Sequence, residues 1–204
     1  MSVSVALYVV AAFLAGSIPF GVLIARRYGV NIQERGSGNI GATNVARVLG
    51  KAPAVITLVL DGAKAAAPTY LAQRGFLLGP SFDSSLGIPH DALVAAVGFA
   101  AMLGHCFSPW LRFRGGKGVA CAVGVYLVIA PLYAAIAIAV FVAVLLVARV
   151  PALGSIAGMI SMAVALGWRS TRIYAAFAIA TALLIVFTHR SNLRQLAARR
   201  RSVP

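Results

Sequence analysis

Long apolar stretches alternate with short polar segments along the sequence. A helix that crosses a bilayer needs roughly 20 mainly apolar residues. Stretches of about that length predict spans over 3–25, 52–72, 92–110, 152–168 and 173–188. A further apolar stretch, 119–149, is long for one span and short for two. The pattern therefore predicts an all-α integral membrane protein.

Composition excludes the other broad classes of protein. Hydrophobic residues make up 61% of the chain and charged residues only 11%, and the mean hydropathy is +0.92. A soluble globule could not bury so much apolar surface, and a disordered chain needs low hydrophobicity. Two cysteines are too few for a disulfide scaffold. Because no internal repeat or soluble segment stands out, we expect a single membrane-embedded domain over 1–204.

Positive charge decides how the ambiguous stretch is interpreted. The chain has 18 Lys and Arg against 4 Asp and Glu, a net charge of +14. If 119–149 is a hairpin that turns near Pro131, the chain has seven transmembrane helices and 14 of the 18 basic residues face one side. A single span there divides them more evenly. The positive-inside rule favours the hairpin, with a short first helix, the N-terminus outside and the C-terminus cytoplasmic.

The first candidate binding segment is the glycine- and amide-rich stretch 36–44. Glycines let backbone N–H groups approach an anion closely. Gly36 and Gly41 have the spacing of a Walker A motif, but the next residue is not Lys, which excludes an NTPase. A tight turn between spans is the alternative. Arg47 favours an anion site, because a helix that starts near Thr43 sets it beside the first turn.

The second candidate segment, 112–118, places three cations around two adjacent glycines at a membrane boundary. Lysine binds phosphate as a point charge, and the glycines free backbone donors. For Arg112 and Arg114 the favoured roles are setting topology and touching anionic lipid head groups. For Lys117, which glycines flank, phosphate is favoured.

Polar residues near span ends add further candidates. His189 and Asn192 lie three residues apart at the end of the last span, on one helical face, where they could bind hydroxyl groups. A structural histidine is the alternative there. His105, at another span end, is either a general base or a structural donor. Asp61 and Lys64 are spaced i, i+3 within a span, where charge marks a functional site by default. Because the two can pair with each other, a structural ion pair is favoured.

The predicted inner face offers few ligands to a metal. Glu34 is its only acidic residue, whereas Mg²⁺ and Ca²⁺ need several oxygen ligands. The scattered histidines and cysteines lack zinc spacing. We therefore expect no metal, no cofactor and a face that binds anions.

Three segments together resemble the PlsY family, the bacterial acyl-phosphate:glycerol-3-phosphate acyltransferases. They are GSGNIGATNV at 36–45 with the following Arg47, the stretch 104–120 with FRGGKGVA at its end, and 189–193. The similarity spans nearly the whole chain and keeps the order of the motifs. One departure is the family's serine-rich segment, of which this chain retains Ser155.

The resemblance implies a multi-pass protein of the bacterial cytoplasmic (inner) membrane, with seven helices and an active site facing the cytoplasm. It implies transfer of an acyl group from acyl phosphate to the 1-hydroxyl of glycerol 3-phosphate, the first step of phospholipid synthesis. The products are lysophosphatidic acid and orthophosphate. The implied partners are both substrates, a bilayer with anionic lipid and the soluble enzyme that supplies acyl phosphate.

The resemblance also assigns residues to the substrates. Ser37, Arg47 and Lys117 are implied to bind the phosphate of glycerol 3-phosphate, and His189 and Asn192 its hydroxyls. The acyl-phosphate head is assigned to the glycine-rich segments and Ser155, with these residues as ligands: Asn39, Gly41, Thr43, Gly115, Gly116 and Ser155. No carboxylate base is evident, so a substrate phosphate oxygen is expected to take the hydroxyl proton. His189, Lys117 and Ser37 are the candidate contributors to catalysis.

Two other functions fit the composition less well. A transporter of anions or phosphate esters also needs cations, but repeated halves and midplane polar groups are typical of that class. Nucleic-acid binding is suggested by the charge, yet the basic residues are divided among short loops between spans. Acyl-CoA acyltransferases that use His-x4-Asp are excluded, because no histidine here has Asp at the fifth position.

Overall fold

The computed structural model describes residues 3–76 and 88–201, and the chain divides into two compact units, Met1–Pro131 and Leu132–Pro204. Regular elements in the described residues are helical. They are α1 Val3–Ser17, α2 Phe20–Arg27, α3 Ala42–Leu49, α4 Lys51–Gln73, α5 His90–Cys106, α6 Val119–Ile129, α7 Pro131–Ala148, α8 Pro151–Arg169, α9 Arg172–Thr188 and α10 Arg190–Arg201, with 3-10 turns at Ile32–Glu34 and Pro109–Leu111. Residues 77–87, between α4 and α5, lie outside the described part.

Several of the described helices are long and apolar enough to cross a membrane. Four segments meet that condition: Val5–Arg27, His90–Leu111, Pro131–Ala148 and Pro151–Trp168. The bent pair α9 and α10 adds a fifth if it forms one span. Helix α4 coincides with the predicted span 52–72 but carries Asp61 and Lys64 in its buried face. The all-α membrane architecture is therefore confirmed, and the count of seven spans stays a prediction.

The ambiguous stretch 119–149 contains two helices. Helix α6 ends at Ile129 and α7 begins at Pro131, so the helical hydrogen bonding is interrupted where the charge pattern places the turn. With 11 residues, α6 is about 16 Å long. The hydrocarbon core of a bilayer is about 30 Å thick. Helix α6 is therefore short, as the hairpin interpretation requires.

The first span is two helices, whereas a single one is predicted over 3–25. Helix α1 ends at Ser17 and α2 begins at Phe20. Pro19 has no N–H to donate, so the ladder of backbone hydrogen bonds is interrupted there. Average hydropathy, on which the prediction rests, does not register such a break.

Glycines let α1 and α5 pack closely in the first unit. A Cβ atom on Gly104 would collide with the carbonyl oxygen of Phe13, and one on Gly16 with the carbonyl oxygen of Ala101. Lipid tails give two helices no hydrophobic reason to associate, so close contact through small residues is a main source of their attraction. These glycines therefore hold the broken first span against α5.

Gly104→Ala is expected to destabilise the protein, because the new methyl group meets backbone that cannot swing aside. Overpacking of this kind costs about 1–3 kcal/mol. The matched control is Gly167→Ala in α8, where a Cβ atom would meet nothing within 4 Å. Thermal unfolding in detergent measures both variants. Equal midpoints for the two would show that the Gly104 contact does not hold the helices together.

Candidate active site

The segment 32–41 folds around one side chain, that of Asn44 in α3. Asn44 is 1% exposed, and its Nδ2 donates to the carbonyl oxygens of Arg35 at 3.0 Å and Asn39 at 2.9 Å. Its Oδ1 accepts from the backbone N–H of Ser37 at 2.8 Å. Gly36 has a φ of +60°, and a Cβ atom there would collide with the same Oδ1. A single buried amide thus determines the shape of the loop.

Helix α3 starts at Ala42, which confirms a helix beginning near Thr43. Gly41 is its N-cap, and the Gly41 N–H donates to Oδ1 of Asn39 at 2.9 Å. Arg47 lies in the last turn of α3, with Nη1 3.5 Å from Oδ1 of Asn44. The side chains of Ser37, Thr43 and Arg47 are exposed, while Gly41 and Asn39 are half-buried. The loop and α3 therefore present two hydroxyl groups and a cation on a framework held by internal hydrogen bonds.

The second glycine pair packs against the end of α5. The N–H of Gly115 donates to the Cys106 carbonyl at 3.1 Å, and that of Gly116 donates to the His105 carbonyl at 3.0 Å. A Cβ atom on Gly115 would collide with the His105 carbonyl oxygen, and one on Gly116 with the His105 ring. These two glycines permit close packing here, rather than leaving their N–H groups open. Their contact with substrate stays a prediction.

Lys117 follows that glycine pair and is half-buried, between Gly116 and Gly118. Burial, and then the positive charge of Arg47, lower the pKa of Lys117 below its ordinary value. The two cations come from segments 70 residues apart in the sequence, yet they lie close enough to repel each other. Like charges held close together are stabilised when an anion binds between them. The first unit therefore contains a two-cation site suited to phosphate.

The predicted ion pair of Asp61 and Lys64 is present, with Nζ 2.7 Å from Oδ1. It includes His105, whose Nδ1 lies 2.9 Å from the same Nζ. An ammonium group can only donate, so Nδ1 accepts and its lone pair is occupied. The structure supports a structural role for His105, in which Nδ1 accepts a hydrogen bond and does not donate one, whereas the sequence suggested a donor.

The second unit carries the remaining candidates. His189 is buried at the junction of α9 and α10, which differ in direction by 52°, and its Nδ1 lies 2.8 Å from the Ile185 carbonyl. Asn192 is in the first turn of α10, so the pair flanks a bend instead of sharing one continuous helical face. Ser155, in α8, is buried and donates to the Pro151 carbonyl at 2.9 Å.

The sequence reasoning missed the role of Asn44 in shaping the candidate site. This residue lies within the glycine-rich segment, but a buried amide has no local signature that separates it from the exposed amides beside it. The structure brings Ser37, Arg47 and Lys117 into one unit, and Ser155, His189 and Asn192 into the other.

Comparison with known proteins identifies the family. The family model described as glycerol-3-phosphate acyltransferase matches residues 6–199. The chain is 45% identical over 194 residues to the glycerol-3-phosphate acyltransferase of Myxococcus xanthus, with 94% of this chain and 95% of that protein covered. The chain belongs to the glycerol-3-phosphate acyltransferase family. It is 44% identical to the protein of that name from Anaeromyxobacter dehalogenans strain 2CP-1, over 94% of this chain and 92% of the relative.

Solved structures agree with this family. The chain resembles a crystal structure of PlsY, an integral membrane glycerol 3-phosphate acyltransferase, in its glycerol 3-phosphate form, with a TM-score of 0.86 and 35% identity over 97% of this chain and 94% of that one. The lysophosphatidic acid form of PlsY gives a TM-score of 0.84 and 35% identity, over 97% and 93% of the two chains. The family member described here is therefore an acyltransferase and a multi-pass membrane protein.

Proposed function

We propose that the chain transfers a fatty acyl group from acyl phosphate to the 1-hydroxyl of glycerol 3-phosphate, giving lysophosphatidic acid and orthophosphate. The observation that carries this proposal is the pair of cations, Arg47 and Lys117, whose mutual repulsion a bound phosphate relieves. Ser37 lies in the loop that Asn44 holds, next to the helix of Arg47. We assign these three side chains to the phosphate of glycerol 3-phosphate, and His189 and Asn192 to its hydroxyls.

The reaction needs no covalent intermediate on the protein. The 1-hydroxyl oxygen attacks the acyl carbon, the bond from that carbon to the phosphate oxygen breaks, and orthophosphate leaves with the bonding electrons. The hydroxyl proton passes to a phosphate oxygen of the substrate. Holding two reactants in line can supply on the order of 7–11 kcal/mol at best. The acyl-phosphate head is assigned to Asn39, Gly41, Thr43, Gly115, Gly116 and Ser155.

Topology and location complete the proposal. Seven spans with the N-terminus outside put the cation-bearing loops on the cytoplasmic side of the inner membrane. A single catalytic domain over 1–204 then works beside anionic lipid, and it receives acyl phosphate from the soluble enzyme that makes it. The excess of basic residues on the inner loops supports this orientation.

Donor choice tests the proposed reaction. The purified protein in lipid nanodiscs is given glycerol 3-phosphate with either palmitoyl phosphate or palmitoyl-CoA. Lysophosphatidic acid is expected with palmitoyl phosphate only. Product from palmitoyl-CoA alone would overturn the donor assignment. Uptake of glycerol 3-phosphate into proteoliposomes without product would favour the transporter alternative.

Glycerol 3-phosphate is expected to bind more weakly as the pH rises through the lowered pKa of Lys117. A bound phosphate favours the ammonium form of Lys117 and so raises its pKa. Above the pKa of the unliganded enzyme, Lys117 must therefore take up a proton before the phosphate can bind well. KM is therefore constant below the pKa of the free enzyme and rises above it, by up to about tenfold per pH unit. Lys117→Arg stays charged and should lose this rise. A wild-type KM that begins to rise only above the ordinary lysine pKa of about 10.4 would contradict the coupling.

His189→Gln is expected to separate binding from proton transfer. The Ile185 carbonyl can only accept, so Nδ1 of His189 carries a proton and the neutral ring keeps Nε2 as an acceptor. With substrate phosphate as the base, the variant keeps kcat within a few-fold and raises KM by roughly 2–10-fold, the net effect of one hydrogen bond. His90→Gln, at the start of α5, is the matched control. A collapse of kcat with unchanged KM would instead make His189 the base.

A further inference from the structure

A buried polar cluster lies at the break in the first span, apart from the proposed phosphate ligands. At its centre is Nζ of Lys64, 2.6 Å from the carbonyl oxygen of Ile18, 2.7 Å from Oδ1 of Asp61 and 2.9 Å from Nδ1 of His105. The side chains of Lys64, Asp61 and His105 are each about 3% exposed or less. An ammonium group has three protons, so the three acceptors use all of them.

The arrangement exceeds what a buried ion pair needs. Two residues spaced i, i+3 on one helix can neutralise each other without help from elsewhere. Here the lysine also reaches a carbonyl that the helix break exposes and a histidine on a third helix. Charged groups inside a membrane are rare because they are costly, and they are retained where they have a task. The contacts of the cluster lead to the segments that carry Lys117 and Arg47.

One line of contacts runs from Lys64 to the loop of Lys117. The ring of His105 packs directly on Gly116, where a Cβ atom would collide with Nε2 of His105. The His105 carbonyl also accepts the Gly116 N–H. Lys117 is the next residue. The other end of this loop is tied to the same break, because Oγ of Ser108 donates to the Ser17 carbonyl at 2.7 Å.

A second line of contacts runs from the break to the segment of Arg47. Helix α2 begins just after the Ile18 carbonyl that Lys64 holds. A Cβ atom on Gly21 of α2 would collide with the carbonyl oxygen of Ile40, so α2 lies directly against the loop before α3. Buried side chains of α2 pack with that loop and with α3, in one cluster: Val22, Ala25, Ile32, Ile40 and Val45.

We propose that Lys64 is a positioning residue for the phosphate site: it fixes the separation of Arg47 and Lys117 by holding both of their supports to the break in the first span. It touches no substrate and acts through His105 on one side and through α2 on the other. This role rests on the proposed function, since it concerns the same two cations.

The test uses the full chain in nanodiscs and separates position from folding. Lys64→Met alone leaves the Asp61 carboxylate buried without its partner, so the informative variant is Asp61→Asn with Lys64→Met, which removes both charges. For this double variant we expect a protein that folds with a lowered thermal midpoint, because the Ile18 carbonyl and Nδ1 of His105 lose Lys64 as their donor. KM for glycerol 3-phosphate should rise tenfold or more, and KM for palmitoyl phosphate should change less. Lys51→Met, at the exposed start of α4, is the control and should leave both constants unchanged.

The pH at which KM for glycerol 3-phosphate begins to rise gives a second readout. A purely structural role of Lys64 would leave that pH unchanged. If Arg47 and Lys117 separate, the pKa of Lys117 is lowered less, so the rise shifts to higher pH in the double variant. The positioning role would be overturned if the folded double variant had the KM of the wild type and its KM began to rise at the same pH. An unfolded double variant would also overturn it, because Lys64 and Asp61 would then serve the fold itself. A normal KM in Lys117→Ala would contradict the proposed phosphate site, which is a separate failure.

Discussion

Replacement of Lys117 by Ala is expected to lower kcat/KM for glycerol 3-phosphate by roughly 30-fold to several thousand-fold. Removing one partner of a partly buried, hydrogen-bonded charge pair costs about 2–5 kcal/mol, and each 1.4 kcal/mol is about tenfold. The effect should appear mainly in KM if Lys117 binds the phosphate equally well throughout the reaction. It should reach kcat as well if the ammonium also stabilises charge on the departing orthophosphate. Steady-state assays in which both substrate concentrations are varied measure how the effect divides between KM and kcat.

Arg114 supplies the matched control for that variant. It is an exposed cation in the same loop, three residues before Lys117, and its predicted role is topology or lipid contact. Arg114→Ala should change kcat/KM by no more than about threefold, in line with the small effect of an exposed charge. Lys117→Arg should retain part of the activity, because it keeps the charge but changes its shape. Normal activity in Lys117→Ala would refute the phosphate role.

Asn44→Ala is expected to have the second large effect, through the loop that its amide holds. Truncation leaves the carbonyls of Arg35 and Asn39 and the N–H of Ser37 without their partner. Each such group costs about 1–3 kcal/mol where it stays buried, so the total for all three is about 3–9 kcal/mol. Both the thermal midpoint and the binding of glycerol 3-phosphate should fall, because Ser37 and Arg47 lose their common support.

An asparagine in the same segment provides the comparison. Asn31 is exposed, and its side chain contacts Glu34 and the N–H of Gln33 at the start of the 3-10 turn. Asn31→Ala should cost about 1 kcal/mol or less, as for an exposed cap. If Asn44→Ala were no worse than Asn31→Ala in both stability and KM, the loop would be held by other contacts. Asn44→Asp adds a sharper probe, since its carboxylate keeps the acceptor but loses both donations.

Much of the membrane architecture is predictable from the sequence, because span length and local charge are short-range properties. The interruption near Pro131, the ion pair of Asp61 and Lys64 and the helix that starts near Thr43 follow from such signals. The break at Pro19 does not, because a proline within a long apolar run leaves the mean hydropathy almost unchanged.

The candidate site is predictable as a set of residues but not as an arrangement. A glycine-rich sequence looks the same whether its glycines expose backbone N–H groups to a ligand or allow close packing. Gly115 and Gly116 allow close packing against the end of α5. The proximity of Arg47 and Lys117 depends on the packing of α2, α3 and α5. No local periodicity records that packing, so only the folded chain shows it.

The interrupted first span also bears on how the protein enters its membrane during synthesis. The carbonyls of Ile18 and Ser17 are bonded by Lys64 and Ser108, which emerge from the ribosome 46 and 91 residues later. Lipid tails offer no donor in the meantime. Until α4 and the residues after α5 have been made, these two carbonyls lack the side-chain donors that they have in the folded protein, while Ile18 keeps the local hydrogen bond from the Phe20 N–H. The first segment to be translated therefore completes its hydrogen bonding after later helices have been made.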